Sequence, residues 1–264
     1  MTIPRFHLFE LEDFSWFPNI IRDLATDYLQ FMETKMGLHR PVVPVLADAL
    51  RASGTTTVVD LCAGGGGPVV ALQKDMANAG VRARFILTDK FPNLPAFEQL
   101  EREHGGIEGH AQSVDATAVP NELKGFRTVF NAFHHFKPDD ARAVLQSAVS
   151  ARQPIGVFEI PERTIPIVIA TMLFVPIIVL AVTPFMRPFR WERLLFTYPI
   201  PLVPLTCFWD GFVSQLRAYT PDELRGLATS LGDVWYEWSA GKVSVSGSGP
   251  PNLTYLVGIP VRAD

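Results

Sequence analysis

Three short stretches of the chain carry side chains arranged for chemistry. The first is Val58-Val59-Asp60-Leu61-Cys62-Ala63-Gly64-Gly65-Gly66-Gly67-Pro68, an apolar run that passes through an acid into consecutive glycines. Glycines at such a point let a ligand approach the backbone and accept positive φ, while the amino end of a following helix offers unpaired N–H groups. The second is a pair of further acids, in Thr88-Asp89-Lys90 and Val114-Asp115-Ala116, each placed where an apolar run is expected to end. An acid after a second strand accepts both hydroxyls of a ribose, and one after a third takes the amino hydrogens of adenine. Singly, Asp60 or Asp89 reads as a turn cap; acids after three successive strands read together as a nucleotide-like ligand site. The third stretch is Asn131-Ala132-Phe133-His134-His135-Phe136, followed by Glu159 at the end of a later apolar run. Imidazole is the side chain best matched to removing a proton near neutral pH. Of two adjacent histidines, one is expected to pack or cap the next helix; Glu159 orients an acceptor or joins a structural ion pair.

Other chemistries fit less well. The dinucleotide pattern needs Gly or Ala at its last position, but counting from Gly64 or Gly65 that position is Val69 or Val70. No Lys-Ser or Lys-Thr closes the loop as a phosphate-binding loop requires. With 23 basic against 27 acidic side chains and no basic run, binding of nucleic acid by counterion release is not expected. Cys62 and Cys207 stand far apart, in none of the spacings of zinc sites or disulfide frameworks, so a reducing compartment and no metal are expected. Glu10, Glu12 and Asp13 interrupt the apolar stretch that a secretory signal needs, which favours a cytoplasmic location.

The elements that must position these residues follow from periodicity. Apolar runs over 57–61, 83–88, 109–114, 127–132 and 155–160 read as strands, and 69–78, 94–104 and 138–152 have helical spacing. This alternation predicts an α/β fold whose mostly parallel sheet is covered on both faces. Residues 10–52 read as helical, with Ile20, Ile21, Leu24, Tyr28, Leu29 and Phe31 on one face; Trp16, Phe17 and Tyr28 are candidates for acceptor-site walls. Thr220-Pro221-Asp222-Glu223 has the cap, the proline and the acids of a helix start, and two last runs around the Gly/Ser/Pro-rich stretch 246–251 read as a hairpin. Four segments are expected: an N-terminal helical lid (1–55), a cofactor-binding α/β core (56–161), an apolar insertion (162–215), and a C-terminal helix and β-hairpin completing the core (216–264).

Asp60 through Gly67, Asp89, Asp115-Ala116 and Asn131 through Phe136 together resemble class I S-adenosylmethionine-dependent methyltransferases, in the neighbourhood of the ubiquinone and menaquinone biosynthesis methyltransferases. The resemblance covers residues 56–160 and, loosely, the terminal hairpin. It implies a doubly wound, seven-stranded Rossmann-like sheet of order 3-2-1-4-5-7-6 with strand 7 antiparallel, and S-adenosyl-L-methionine as cofactor. It further implies that Asp60 with Ala63, Gly64, Gly65 and Gly66 lies under the methionine part and that Asp89, followed by Lys90, holds the ribose. Asp115 and Ala116 would frame the adenine, and Asn131, Ala132 and Phe133 would border the methionine; Cys62 departs from the family's loop, which often has its first glycine there. His134, His135 and Glu159 are then the candidates for catalysis. A non-catalytic, membrane- or partner-associated protein that keeps the cofactor fold is the alternative.

The insertion has no charge from Thr164 to Met186, and a second uncharged run spans Leu194–Trp209, with Arg187, Arg190, Glu192 and Arg193 between them. A straight helix over 164–186 is long enough for a hydrocarbon core of about 30 Å. Both flanks must return to one sheet, however, and two crossings would carry the arginines to the far side, against the positive-inside tendency. A hairpin covering the pocket of a hydrophobic small-molecule acceptor, dipping into one leaflet of a membrane surface through 164–209 with its arginines on head groups, is therefore expected. On this reading attachment is peripheral or monotopic, at the inner face of a membrane. A homodimer interface is the third reading.

Overall fold

The computed structural model describes residues 2–14, 16–232, 234–245 and 252–261; the stretch 246–251 read as the hairpin connection lies outside them. In chain order the elements are α1 (Asn19–Met36), α2 (Val42–Ser53), β1 (Thr57–Leu61), α3 (Val69–Asn78), β2 (Arg84–Leu87), α4 (Leu94–Glu103), β3 (Ile107–Gly109), β4 (Phe126–Phe130), α5 (Pro138–Ser150), β5 (Ile155–Glu159), α6 (Ile165–Val182), α7 (Trp191–Thr197), α8 (Leu202–Arg217), α9 (Pro221–Thr229), β6 (Tyr236–Ser244) and β7 (Asn252–Pro260). The chain divides into two units, a helical one from residues 1–36 and 161–218 and a sheet unit from 37–160 and 219–264.

The sheet unit is built on seven strands in the order β3-β2-β1-β4-β5-β7-β6. β1 to β5 are mutually parallel, and β7 runs antiparallel to both β5 and β6. Successive strand side chains point to opposite faces, so nearly continuous apolar runs feed two cores. Val59, Leu61, Val129, Ile155 and Val157 pack with Ala141, Val144 and Leu145 of α5 and Leu224 and Ala228 of α9. Val58, Leu87, Phe126 and Phe158 pack with Leu46 and Leu50 of α2, Leu72 and Met76 of α3 and Phe97 of α4. α2, expected within the lid, thus belongs to the sheet unit. The third strand is also shifted from expectation. It ends at Gly109, because His110-Ala111-Gln112-Ser113 offers no apolar alternation to extend it; Val114 is held instead by its N–H to the Asp89 carbonyl at 2.9 Å.

The helical unit has its own core, in which Ile21, Leu24 and Tyr28 of α1 meet Val179 of α6 and Val203 and Cys207 of α8. Phe17 and Tyr28 are buried there, whereas Trp16 is exposed. The N-terminal segment is strapped to α8. Asp210 Oδ1 accepts the Leu11 N–H at 2.7 Å, and Arg217 reaches Asp13 at 2.6 Å and Glu10 at 3.1 Å. Burial pushes the Asp210 carboxyl up to about 6. Arg193 is buried against Asp27 at 2.7 Å, and Arg190 lies 3.3 Å from the same carboxylate. The expectation that all three insertion arginines meet lipid is corrected accordingly: two of them are engaged with α1.

Candidate functional site

At the carboxyl ends of β1 and β2 the sheet unit gathers the glycine loop and two acids. After Leu61 the backbone takes the left-handed conformation at Cys62 (φ 61), Gly64 (φ 56) and Gly66 (φ 86). Cys62 is strained in this position, whereas the glycines adopt it at no steric cost. A Cβ on Gly66 would come within 2.2 Å of Leu100 Cδ1, while a Cβ on Gly64 would meet open space. Gly64 therefore faces open space and Gly66 packs the loop against α4. The loop is pinned by the Ala63 N–H to the Thr88 carbonyl at 3.0 Å and by the Gly66 N–H to the Ala63 carbonyl at 2.8 Å. It then enters α3, whose first turn has no acidic side chain.

Asp89 binds this loop directly. Its Oδ2 accepts the Gly64 N–H at 2.9 Å and its Oδ1 the Phe91 N–H at 2.8 Å, so one carboxylate joins the glycine loop to the segment after β2. An ionised carboxylate has about four acceptor sites, and two remain for hydroxyl donors. Asp60 is buried in β1, where its Oδ1 accepts the Thr128 hydroxyl at 2.8 Å. Burial, with the nearby Asp89 charge, pushes its carboxyl up to about 8, so it is largely protonated at neutral pH. Asp115 lies in the loop after β3. Lys90 Nζ lies 2.8 Å from its Oδ2, and the Thr117 N–H and hydroxyl reach its Oδ1 at 2.9 and 2.6 Å. The Lys90 and Thr117 bonds hold its carboxyl down at about 2. The neighbouring Ala116 is buried in the core.

A second cluster lies where β4 and β5 end. Asn131 takes a left-handed turn (φ 48), and its Oδ1 accepts the Ile160 N–H at 2.9 Å, tying the two strand ends together. Ala132 leads into a short turn in which Phe133 is buried in the core. Glu159, itself buried, takes the Phe133 N–H on Oε1 at 2.8 Å and faces Nδ1 of His134 with Oε2 at 2.6 Å. His135 is half-buried, its ring centroid 4.4 Å from that of His134.

The structure thus brings together Asp60, the glycine loop and Asp89, joins Lys90 to Asp115, and pairs His134 with Glu159. Of the two readings weighed for Glu159, the structure shows a contact with a histidine, His134. Thr128, Thr117 and Thr88, whose hydroxyl donates to the Asp60 carbonyl at 2.9 Å, were not singled out from the sequence. A threonine in a β run reads as a strand former, and only the register across β1 and β4, with Asp60 opposite Thr128, reveals its role. A surface groove lined by Thr57, Gly125, Arg152 and Pro260 lies at the amino-terminal edge of the sheet, away from these residues. In open α/β sheets the carboxyl edge is where ligands bind, so the groove is not the site.

No protein-family model and no curated protein matches the chain. Among solved structures, the plantazolicin methyltransferase BpumL, in complex with a monoazolic desmethylPZN analog and SAH, aligns with a TM-score of 0.52 at 10% identity, over 92% of this chain and 98% of that one. An O-methyltransferase family protein from Burkholderia thailandensis aligns at a TM-score of 0.48 and 15% identity, over 89% of this chain. This chain spans 59% of that protein's length. The magnesium protoporphyrin IX methyltransferase ChlM from Synechocystis PCC 6803, with bound SAH, aligns at 0.45 and 14% identity over 87% of each chain. The BpumL likeness, together with the strand order, establishes the Rossmann-like methyltransferase fold.

Proposed function

We propose that the chain is an S-adenosylmethionine-dependent methyltransferase acting on a hydrophobic small-molecule acceptor. The observation that carries this reading is the Asp89 carboxylate clamped to the Gly64 N–H beside an open, side-chain-free loop. Two acceptor sites for ribose hydroxyls lie there next to a backbone cradle. Ala63, Gly64, Gly65 and Gly66 would lie under the methionine part with Asp60 behind them; Asn131, Ala132 and Phe133 would border it. Asp115 and Ala116 would frame the adenine, with Lys90 held on the outer carboxylate oxygen of Asp115. When bound, the cofactor supplies an electrophilic methyl group.

The chain's own contribution is alignment and, for a weakly nucleophilic acceptor, proton removal. Glu159 is the positioning residue: accepting the proton on Nδ1 of His134 puts the ring's lone pair on Nε2. It also pins the turn through the Phe133 N–H. His134 then takes a proton from the acceptor through Nε2, with His135 beside it shaping the approach. A hydrophobic acceptor is supported by residues 161–218, between β5 and α9, which present an uncharged, exposed helix. The quinone-biosynthesis resemblance falls within this acceptor class. The test is turnover. Incubated with S-adenosylmethionine and a fractionated lipid extract, the protein should form S-adenosylhomocysteine with one fraction, and His134→Ala should not. Activity confined to polar fractions would overturn the acceptor class.

A further inference from the structure

The exposed face of α6 bears on the acceptor class but contributes no group to the proposed methyl transfer. Within Ile165–Phe185 an 18-residue window has a mean hydropathy of 2.8, yet only 11% of that window is buried. Ile169, Leu173, Phe174, Ile177 and Leu180 all lie on the open side. A water-soluble surface does not usually carry an apolar face of this extent without an occupant.

We infer that the helical unit docks in one leaflet of an anionic phospholipid bilayer, with α6 against the acyl layer and a head group in the groove beside its end. The chemistry of the face selects lipid over a protein partner. Protein interfaces carry about one hydrogen bond per 100–200 Å², and this stretch contains no charged residue and, among its exposed side chains, no polar group. Beyond the end of α6 the surface changes character. Phe185, Phe189 and Trp191 are 72%, 65% and 62% exposed, in the manner of aromatic residues at a membrane interface. Beside Met186 and Pro188 runs a groove lined by Gln30, Thr34, Lys35, Arg187 and Arg193, with Asp27 as its acid. Arg193 is buried, and its Nε has no partner among the described residues although its other nitrogens bond Asp27 and the Pro188 carbonyl. With Arg193 paired to Asp27, Lys35 and Arg187 leave the groove a net positive charge, which suits the phosphate of an anionic lipid. Arg190 lies on the same Asp27 carboxylate, and its charge also acts on Asp23.

The same unit argues against a full crossing. α6 packs on α8 closely enough that a Cβ on Gly211 would sit 3.4 Å from Thr171 Cγ2. α8 in turn holds the N-terminal strap through Asp210, Trp209 and the Arg217 ion pairs with Glu10 and Asp13. Immersing both helices would carry those charges into hydrocarbon, where the loss of hydration makes buried ions strongly unfavourable. α6 is apolar all round, so only the rest of the unit can supply the water-facing side of a one-leaflet anchor.

Flotation of the full chain with phosphatidylcholine vesicles, with and without phosphatidylglycerol, tests the inference independently of the cofactor reading. The protein should float with both and more with the anionic vesicles, and millimolar inorganic phosphate should not displace it. Ile177→Glu, at an exposed position, should reduce binding at least tenfold with an unchanged melting curve. Arg187→Gln should weaken binding about fivefold on anionic vesicles only, the equivalent of about 1 kcal/mol per basic residue near such a surface. Three results would overturn the inference: no flotation, resistance to carbonate extraction as for a crossing pair, or a vesicle-independent dimer that Ile177→Glu dissociates.

Discussion

Nδ1 of His134 lies 2.6 Å from Oε2 of Glu159, and both side chains are almost wholly buried. A buried carboxylate that also accepts a backbone N–H fixes its histidine in ring orientation and tautomer together. Glu159→Gln keeps the shape but can also donate to Nδ1, turning the lone pair away from Nε2. Turnover should fall about a hundredfold, the low end of what a positioned base contributes, while S-adenosylhomocysteine affinity stays within about twofold. The kcat–pH profile should lose its acidic limb in both Glu159→Gln and His134→Ala. Near wild-type rates in both variants would mean that alignment alone suffices.

Asp60 makes the sheet unit less stable as pH rises. Its folded-state carboxyl titrates near 8, well above the ordinary value of 3.8. Between these values the unfolded chain binds fewer protons than the folded one, so the group's stabilisation is present below about pH 4 and is lost towards about pH 8. Asp60→Asn removes the titration. Its melting temperature should match the wild type below about pH 4 and exceed it by several degrees at about pH 9. A constant difference across that range would contradict the account.

Arg127 is fully buried in β4. Among the described residues its guanidinium bonds the Ser147 hydroxyl at 3.1 Å, and Nε and one terminal nitrogen have no partner. Burial lowers its pKa, the mark of a charge that the surroundings do not compensate. Replacing a poorly compensated buried charge by an apolar side chain of similar length should stabilise the fold. Arg127→Met is expected to raise unfolding free energy by about 1 kcal/mol or more in urea denaturation. A loss of that size would show that the guanidinium holds the sheet together.

What the sequence made legible was local. The glycine loop, α3 and the helix after Thr220 are written in contiguous residues, and α3 falls where its spacing predicts. What escaped depends on long-range register. His134 reaches Glu159 because β4 and β5 pair with Phe130 opposite Phe158, and nothing within either strand signals that alignment. The Asp27 contacts of Arg190 and Arg193 join residues more than 160 positions apart, so a free basic tip was the natural expectation. β3 was misplaced for a different reason. It is three residues long, and the apolar Val114 that seemed to extend it is a core residue of the following loop.

The central claim rests on the clamp between Asp89 and the glycine loop, and calorimetry with S-adenosylhomocysteine tests it most directly. The wild type should bind saturably at one site per chain, NAD should give no heat, and Asp89→Ala should weaken binding by about 1.5–3 kcal/mol, as expected for hydrogen bonds to a charged group. Unchanged affinity in Asp89→Ala, or binding of NAD in place of S-adenosylhomocysteine, would contradict the assignment.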